Sequence, residues 1–261
     1  TAGKVSGSTA TLAIVTNNTG STTTGAVKVA DIVVNPQGTD VFTTVDITAT
    51  GKNNVVLQAT DATDVTLNTI KVGGTGSLTF AGDAAANVAF TNITTVDLAA
   101  NSGGVTLNLS TSTKDIVVTG GSGNDSLTID LAVNGKMTLA AGAGNDTVIL
   151  GTPTAADLAA TDSISGGDGT ADVLALTSAG VVNLSADHDR TVLTNFAILR
   201  VADAIGADLN ISKFGLNYLQ VGTAQAAAWT VSGFTSGATV ETRAAASFTA
   251  SLGIGITNAT N

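Results

Sequence analysis

The chain has 261 residues, enough for one long domain or two ordinary ones, and carries 20 acidic against 10 basic side chains for a net charge of −10. That balance excludes nucleic acid as an expected partner, because phosphate contacts need clustered Lys and Arg, and it disfavours an anionic lipid surface unless a divalent cation bridges the two. There is no cysteine, which removes disulfides, thiolate metal sites and cysteine catalysis, and no apolar run approaches the roughly 18 residues of a membrane span.

Hydrophobic residues make up 43% of the chain, but aromatics only 3% and charged residues only 11%. The apolar set is therefore Ala, Val, Leu and Ile, set among Thr, Ser, Asn and Gly. Small side chains fill only a thin interior at normal packing density, and β-branched residues favour a pleated surface. With only two prolines, Pro36 and Pro153, the turns must be built by Gly, Asn and Asp. The composition predicts an all-β chain of many short strands.

Thr1 shows neither an initiator Met nor a signal-peptide pattern, so the chain is expected to be a fragment or a processed product. Residues 1–37 are rich in Thr, Ser and Gly and are expected to form an N-terminal β segment or to continue an upstream domain. A soft boundary falls at Pro36–Gly38. From there to residue 223 the pattern is continuous. Alternation of apolar and polar residues predicts strands at Val45–Ile47, Val55–Leu57, Val65–Leu67, Leu78–Phe80, Val88–Phe90, Val105–Leu109 and Ile116–Val118, about one every ten residues. A phrase recurs: Phe42-Thr43-Thr44-Val45-Asp46-Ile47 returns as Ile93-Thr94-Thr95-Val96-Asp97-Leu98, and more loosely as Phe196–Val201. Such self-similarity is what stacked coils produce. Helix is expected only as a turn or two at Ala155–Ala160 and Ala224–Ala228. Residues 224–261 resume a β pattern at Trp229–Val231, Ala238–Val240 and Ser247–Thr249.

The most specific signal is Gly120-Gly121-Ser122-Gly123-Asn124-Asp125-Ser126-Leu127-Thr128, two glycines, a third glycine two residues on, then an aspartate and a large apolar residue. A second copy runs Ala141-Gly142-Ala143-Gly144-Asn145-Asp146-Thr147-Val148-Ile149. A third, Gly166-Gly167-Asp168-Gly169-Thr170-Ala171-Asp172-Val173-Leu174, has one extra residue before the aspartate. Glycine opens backbone angles closed to other residues, so carbonyl oxygens can converge, and the aspartate adds a hard anionic oxygen that suits Ca²⁺. Gly73–Thr79 has the glycines without the carboxylate and reads as a turn without metal. It has no lysine and no following helix, so it is not a phosphate loop.

These three turns, spanning 120–174, resemble the RTX repeats of proteins exported by type I secretion. The resemblance implies an irregular parallel β-solenoid or β-roll with calcium held between turns stacked on one edge, about 18 residues apart. Here Asp146 follows Asp125 by 21 residues and Asp172 follows Asp146 by 26. The opposite-edge turns near Asn134-Gly135 and Pro153 lack the motif, so a single calcium ladder is expected. Its first site would use carbonyls of Gly120, Ser122, Gly142 and Gly144 with the carboxylates of Asp125 and Asp146. A second would use carbonyls of Ala141, Ala143, Gly167 and Gly169 with Asp172, Asp168 adding a carboxylate. The plain alternative is a set of tight turns whose aspartates accept backbone N–H bonds.

The order Ile164–Thr170, Asp172–Leu174, then Leu193–Asp203 is further similar to bacterial surface-layer proteins of the Caulobacter and Campylobacter fetus kind, over roughly residues 38–223. That likeness implies an extracellular, cell-surface structural protein that folds and self-assembles when Ca²⁺ binds. Its partner would be a second copy of itself, with cell-surface polysaccharide engaged through regions outside this chain. The rival readings are a calcium-dependent adhesin or glycan-binding module and an enzyme. Sugar recognition normally exposes aromatics, yet Trp229 and Tyr218 are the only Trp and Tyr. His188, between Asp187 and Asp189, is the only histidine, which excludes a His-Glu-x-x-His protease. Carboxylate-based chemistry survives that test, with Arg190, Arg200 and Asp203 as the nearest candidates. The expectation is a non-enzyme.

Overall fold

The structure, a computed structural model, describes residues 10–19, 30–34, 41–60, 65–86, 88–186, 190–223, 229–234 and 237–243. Along most strands alternate residues are buried and those between them are exposed or half-buried, so one face is buried, whereas Val173–Leu176 is buried throughout. Short strands of this kind gain stability by stacking in register on copies of themselves, and the chain does so twice per coil. The first sheet holds eight strands, Ala10–Asn17, Phe42–Thr50, Val65–Gly74, Thr95–Asp97, Ile116–Thr119, Met137–Ala140, Ser163–Ser165 and Leu193–Thr194. The second holds ten, Ala30–Val34, Lys52–Ala59, Ser77–Gly82, Val105–Asn108, Ser126–Thr128, Thr147–Gly151, Val173–Leu176, Ile198–Val201, Tyr218–Val221 and Thr239–Thr242. The chain passes alternately between them and their ladders are parallel, which makes the molecule the β-solenoid that the sequence predicts. A two-stranded ladder, Leu209–Asn210 with Val231–Ser232, adds to the last coils. The second sheet runs through both expected boundaries, near residues 37 and 223, and the first sheet through the one near 37.

Register decides what the interior contains. In the first sheet the inward row reads Leu12, Val45, Ile70, Val96, Val118, Leu139, Ile164, Leu193. The facing row of the second sheet reads Val55, Phe80, Leu107, Leu127, Val148, Leu174, Leu199, Leu219, Val240. These residues form one continuous core. Two sheets in face-to-face contact lie about 10 Å apart, so the space between them takes one layer of aliphatic side chains from each side. That is why a chain with so few aromatics can fill it. The recurrent phrase has the same origin: Thr44-Val45-Asp46 and Thr95-Val96-Asp97 occupy the same rows two coils apart. Phe196–Val201 does not share this origin, since Ile198–Val201 belongs to the second sheet.

Elsewhere the structure departs from the sequence expectation. Val88 and Phe90 are buried but form no strand, because they follow a single 3-10 turn at Ala84–Ala86 and pack into the coil's corner, Phe90 against Phe80. Ala155–Asp157 is one 3-10 turn. A helix the sequence did not announce, α1 (Ser178–Ala186), fills the corner after Val173–Leu176. Its Val and Asn content is poor for helix, but Val181 and Leu184 are fully buried, so tertiary packing overrides propensity. Among the described residues no helix is long and apolar enough to cross a membrane. The expectations at Ala224–Ala228, Ser247–Thr249 and Asp187–Asp189 lie outside the described residues.

One layer of side chains leaves no room to repack. Leu139→Ala, at a position 1% exposed, is expected to lower the unfolding free energy by about 2–5 kcal/mol. Val117→Ala, adjacent to the buried Val118 on the neighbouring strand but facing outward and 49% exposed, should change it by less than about 1 kcal/mol. Urea titration of both variants checks the assignment of faces; equal losses would contradict it.

Candidate metal centre

The edge that leads from the first sheet to the second carries all three glycine–aspartate turns. Here the coils stack so closely that the backbone of one lies where a side chain of the next would begin. A Cβ on Gly142 would overlap the Gly121 carbonyl, one on Gly167 the Gly142 carbonyl, and one on Gly169 the Gly144 carbonyl. Gly142, Gly144 and Gly167 also have φ of 107°, 110° and 98°, a region that side chains disfavour. The glycines are thus required by close approach as well as by turn geometry.

The three aspartates follow in a column. Asp125 is 2% exposed, Asp146 1% and Asp172 0%. Each uses Oδ1 to accept a backbone N–H from the coil before it: Val105 N to Asp125 at 2.7 Å, Asp125 N to Asp146 at 2.7 Å, and Asp146 N to Asp172 at 2.8 Å. The plain reading of these residues, aspartates that staple turns, is therefore present in the structure. It accounts for only part of them. Asp125 also receives the Gly121 N–H on Oδ2 at 3.1 Å, whereas Oδ2 of Asp146 and Oδ2 of Asp172 are buried with no hydrogen-bond partner. A buried carboxylate oxygen without a donor is costly, and here two lie on successive coils.

The electrostatics follow. Burial pushes the Asp146 carboxyl up to about 7; the Asp125 amide opposes the shift, while the like charges of Asp125 and Asp172 add to it. Burial also raises Asp125 against the amides of Gly121 and Val105, and raises Asp172 against the amides of Asp146 and Gly169, with the Asp168 charge adding to the rise. The pressure on this column is for a proton or a cation.

The structure brings all the predicted site residues to this edge, with varied roles. Gly120 N–H donates to Ala140 O, Ser122 N–H to Asn101 O, Ala141 N–H to Ser165 O and Ala143 N–H to Gly121 O, bonds that tie each corner to its neighbours. The Gly142 carbonyl accepts the Asp168 N–H at 2.7 Å, and the Asp168 side chain is exposed. The insertion at Ala171 is absorbed inside the corner, where Thr170 and Ala171 both donate N–H to the Asn145 side chain, so Thr147 still pairs with Val173. The unpartnered oxygens favour the space between Asp146 and Asp172. Among the described residues no group of three or more His, Asp or Glu side chains is placed to hold a metal. A cation here would take most of its ligands from corner carbonyls.

The sequence reading overlooked Asn53 and Asn101, which are buried on the same edge. No glycine–aspartate pattern marks them. Of the enzyme candidates, Arg200 Nε–H donates to Gln220 and Asp203 accepts the Ser178 N–H. Trp229 is a buried core residue, and Tyr218 donates its hydroxyl to Glu241. In comparisons with known proteins, no family model, no curated protein and no solved structure matches the chain.

The direction of the shifts fixes a pH dependence. Where a carboxyl's pKa is raised by folding, the folded chain holds a proton the unfolded chain has released, so its stability contribution is complete below the unfolded value near 4 and is lost as pH rises toward 7. In divalent-free buffer the melting temperature should fall between pH 4 and pH 7.5, and Asp146→Asn should remove much of that slope. A flat profile in the parent chain would show that the column is relieved in some other way.

Proposed function

We propose that the chain is a calcium-ordered structural solenoid of a bacterial cell surface, exported before its carboxylate coils close, and not an enzyme. The observation that carries this reading is the pair of buried, unpartnered oxygens, Asp146 Oδ2 and Asp172 Oδ2, held on adjacent coils by glycine corners. Ca²⁺ takes 6–8 oxygen ligands in flexible geometry, and a wall of stacked carbonyls with one carboxylate per coil provides such a set. When bound, the ion supplies the positive charge that the column otherwise lacks. Ala143, Gly144, Gly169 and the two carboxylates are the groups best placed to hold it.

Export belongs to the same reading. At low calcium the carboxylates repel and the glycine corners keep their conformational entropy; outside the cell, binding and folding become one event. The raised carboxylates lie buried inside the wall, which supports a structural role. The scarcity of charge on the sheets suits contact with further copies of the chain, since edge and face contacts between flat parallel sheets need few specific groups.

At calcium a hundredfold above its Kd, each site adds about 2.7 kcal/mol, roughly 5–10 °C in a chain of this size. Calcium should raise the melting temperature by at least that amount, chelator should reverse it, and Asp172→Ala should abolish most of the response. Melting that ignores chelator would remove calcium from the reading. Negative-stain images of the purified chain with Ca²⁺ then separate the two surface roles: ordered two-dimensional sheets support self-assembly, whereas dispersed particles that bind a glycan array support an adhesin.

A further inference from the structure

Asn53 stands in the row of the aspartate column. Asn54, Thr79, Thr106, Ser126, Thr147 and Val173 pair in succession across the second sheet, so the residues just before them, Asn53, Leu78, Val105, Asp125, Asp146 and Asp172, form one column at the corner. Asn53, 3% exposed, uses Oδ1 as the aspartates do, accepting the Thr19 N–H at 2.9 Å. Its second atom differs in kind. Where Asp146 and Asp172 present a bare oxygen, Asn53 presents an amide nitrogen, and that nitrogen donates to three backbone carbonyls: Thr50 at 3.0 Å, Ser77 at 3.2 Å and Gly51 at 3.4 Å. Two of these lie three and two residues earlier in its own corner. The corresponding carbonyls before Asp146 belong to Ala143 and Gly144. Asn101 closes its coil in a similar way, accepting the N–H groups of Gly103 and Gly104 and donating to the Gly76 carbonyl at 3.0 Å.

We propose that this edge is built in two parts: the coils from Phe42 to Asn108 are closed permanently by the side-chain amides of Asn53 and Asn101, and the coils from Ile116 to Leu176 close only when a divalent cation takes the place that the Asn53 amide nitrogen occupies in its own corner. The first part is then a standing template, and calcium orders the second part upon it. The inference rests on the calcium reading for its second half, but the amide closure stands on the hydrogen bonds alone. The internal comparison gives it weight: one fold, one column, two side chains equal in size, and a second atom that is satisfied at Asn53 but unpartnered at Asp146 and Asp172, while Asp125 between the two parts receives the Gly121 N–H.

Hydrogen exchange of the full chain, with calcium and with chelator, tests the division. On chelation the amides of Phe42–Thr50, Lys52–Ala59, Ser77–Gly82 and Val105–Asn108 should keep their protection, while those of Ser126–Thr128, Thr147–Gly151 and Val173–Leu176 should exchange about tenfold faster or more. Equal acceleration in both parts overturns the division and leaves the calcium reading standing; no acceleration in either overturns both. Two isosteric exchanges then test the closure itself. Asn53→Asp should make protection of Lys52–Ala59 depend on calcium or on acid, and Asp172→Asn should let Val173–Leu176 keep its protection in chelator. Unchanged exchange at Lys52–Ala59 in chelated Asn53→Asp sinks the amide lock.

Discussion

A side-chain oxygen that reaches back one coil to accept a backbone N–H sets the geometry on which this solenoid depends. Parallel strands of three or four residues specify register weakly, and a slip of one residue would turn every inward side chain outward. The bonds from Val105 to Asp125, Asp125 to Asp146 and Asp146 to Asp172 tie each coil to the next just before its second-sheet strand begins. The same device recurs on other corners, where Met137 donates to Asp162 and Ser178 to Asp203, and it runs in the opposite sense where Thr230 donates to Asp208. Once a corner is pinned, the rows of Val, Leu and Ile fall into line, and a thin aliphatic core suffices.

Pinning alone does not call for a carboxylate. Asn53 accepts the same kind of bond in the same column and satisfies its second atom with carbonyls, at no electrostatic cost. A buried aspartate without a donor on Oδ2 is the poorer choice for a chain that only has to be stable, since desolvation is opposed by nothing but a few amides. Two such aspartates on successive coils compound the cost, and the charges of Asp125 and Asp172 both raise Asp146 between them. In the reading proposed above the gain is responsiveness: a column of amides would have one state, whereas a column of carboxylates would have a loose state and a closed state separated by the binding of an ion or a proton, and the difference could keep part of the chain loose until it reaches its place of work.

Much of this was legible in the residues. Alternation located nearly every strand between Phe42 and Thr119, because each strand has one wet and one dry face, and the glycine–aspartate turns located the edge. The repeat of Thr-Val-Asp at 44–46 and 95–97 revealed coil stacking before any register was known. What escaped had physical causes. Val88 and Phe90 alternate like a strand but fill a corner, since burial of two apolar residues does not require a ladder. Helix α1 has weak local propensity and exists because Val181 and Leu184 meet the core. Asn53 escaped because its role is defined by a neighbour 34 residues earlier and a carbonyl 24 residues later, partners no local pattern reveals.

The two edges of the solenoid divide the labour. In the coils from Phe42 to Leu176 the passage from first sheet to second is short and nearly constant, as from Leu139 to Val148 or from Ile164 to Leu174, and even the extra residue at Ala171 is taken up without a change in register. The return passage varies freely: it holds a 3-10 turn at Ala84–Ala86, another at Ala155–Asp157 and the whole of α1. Loop length is cheap in a corner that only has to connect, because closure entropy rises slowly with length. It is not cheap in a corner whose side chains must meet their counterparts one coil away. A ladder of stacked oxygens can therefore persist only on the invariant edge, and irregular coil lengths of 21 and 26 residues are compatible with it because all the irregularity that would break the column is placed on the other side.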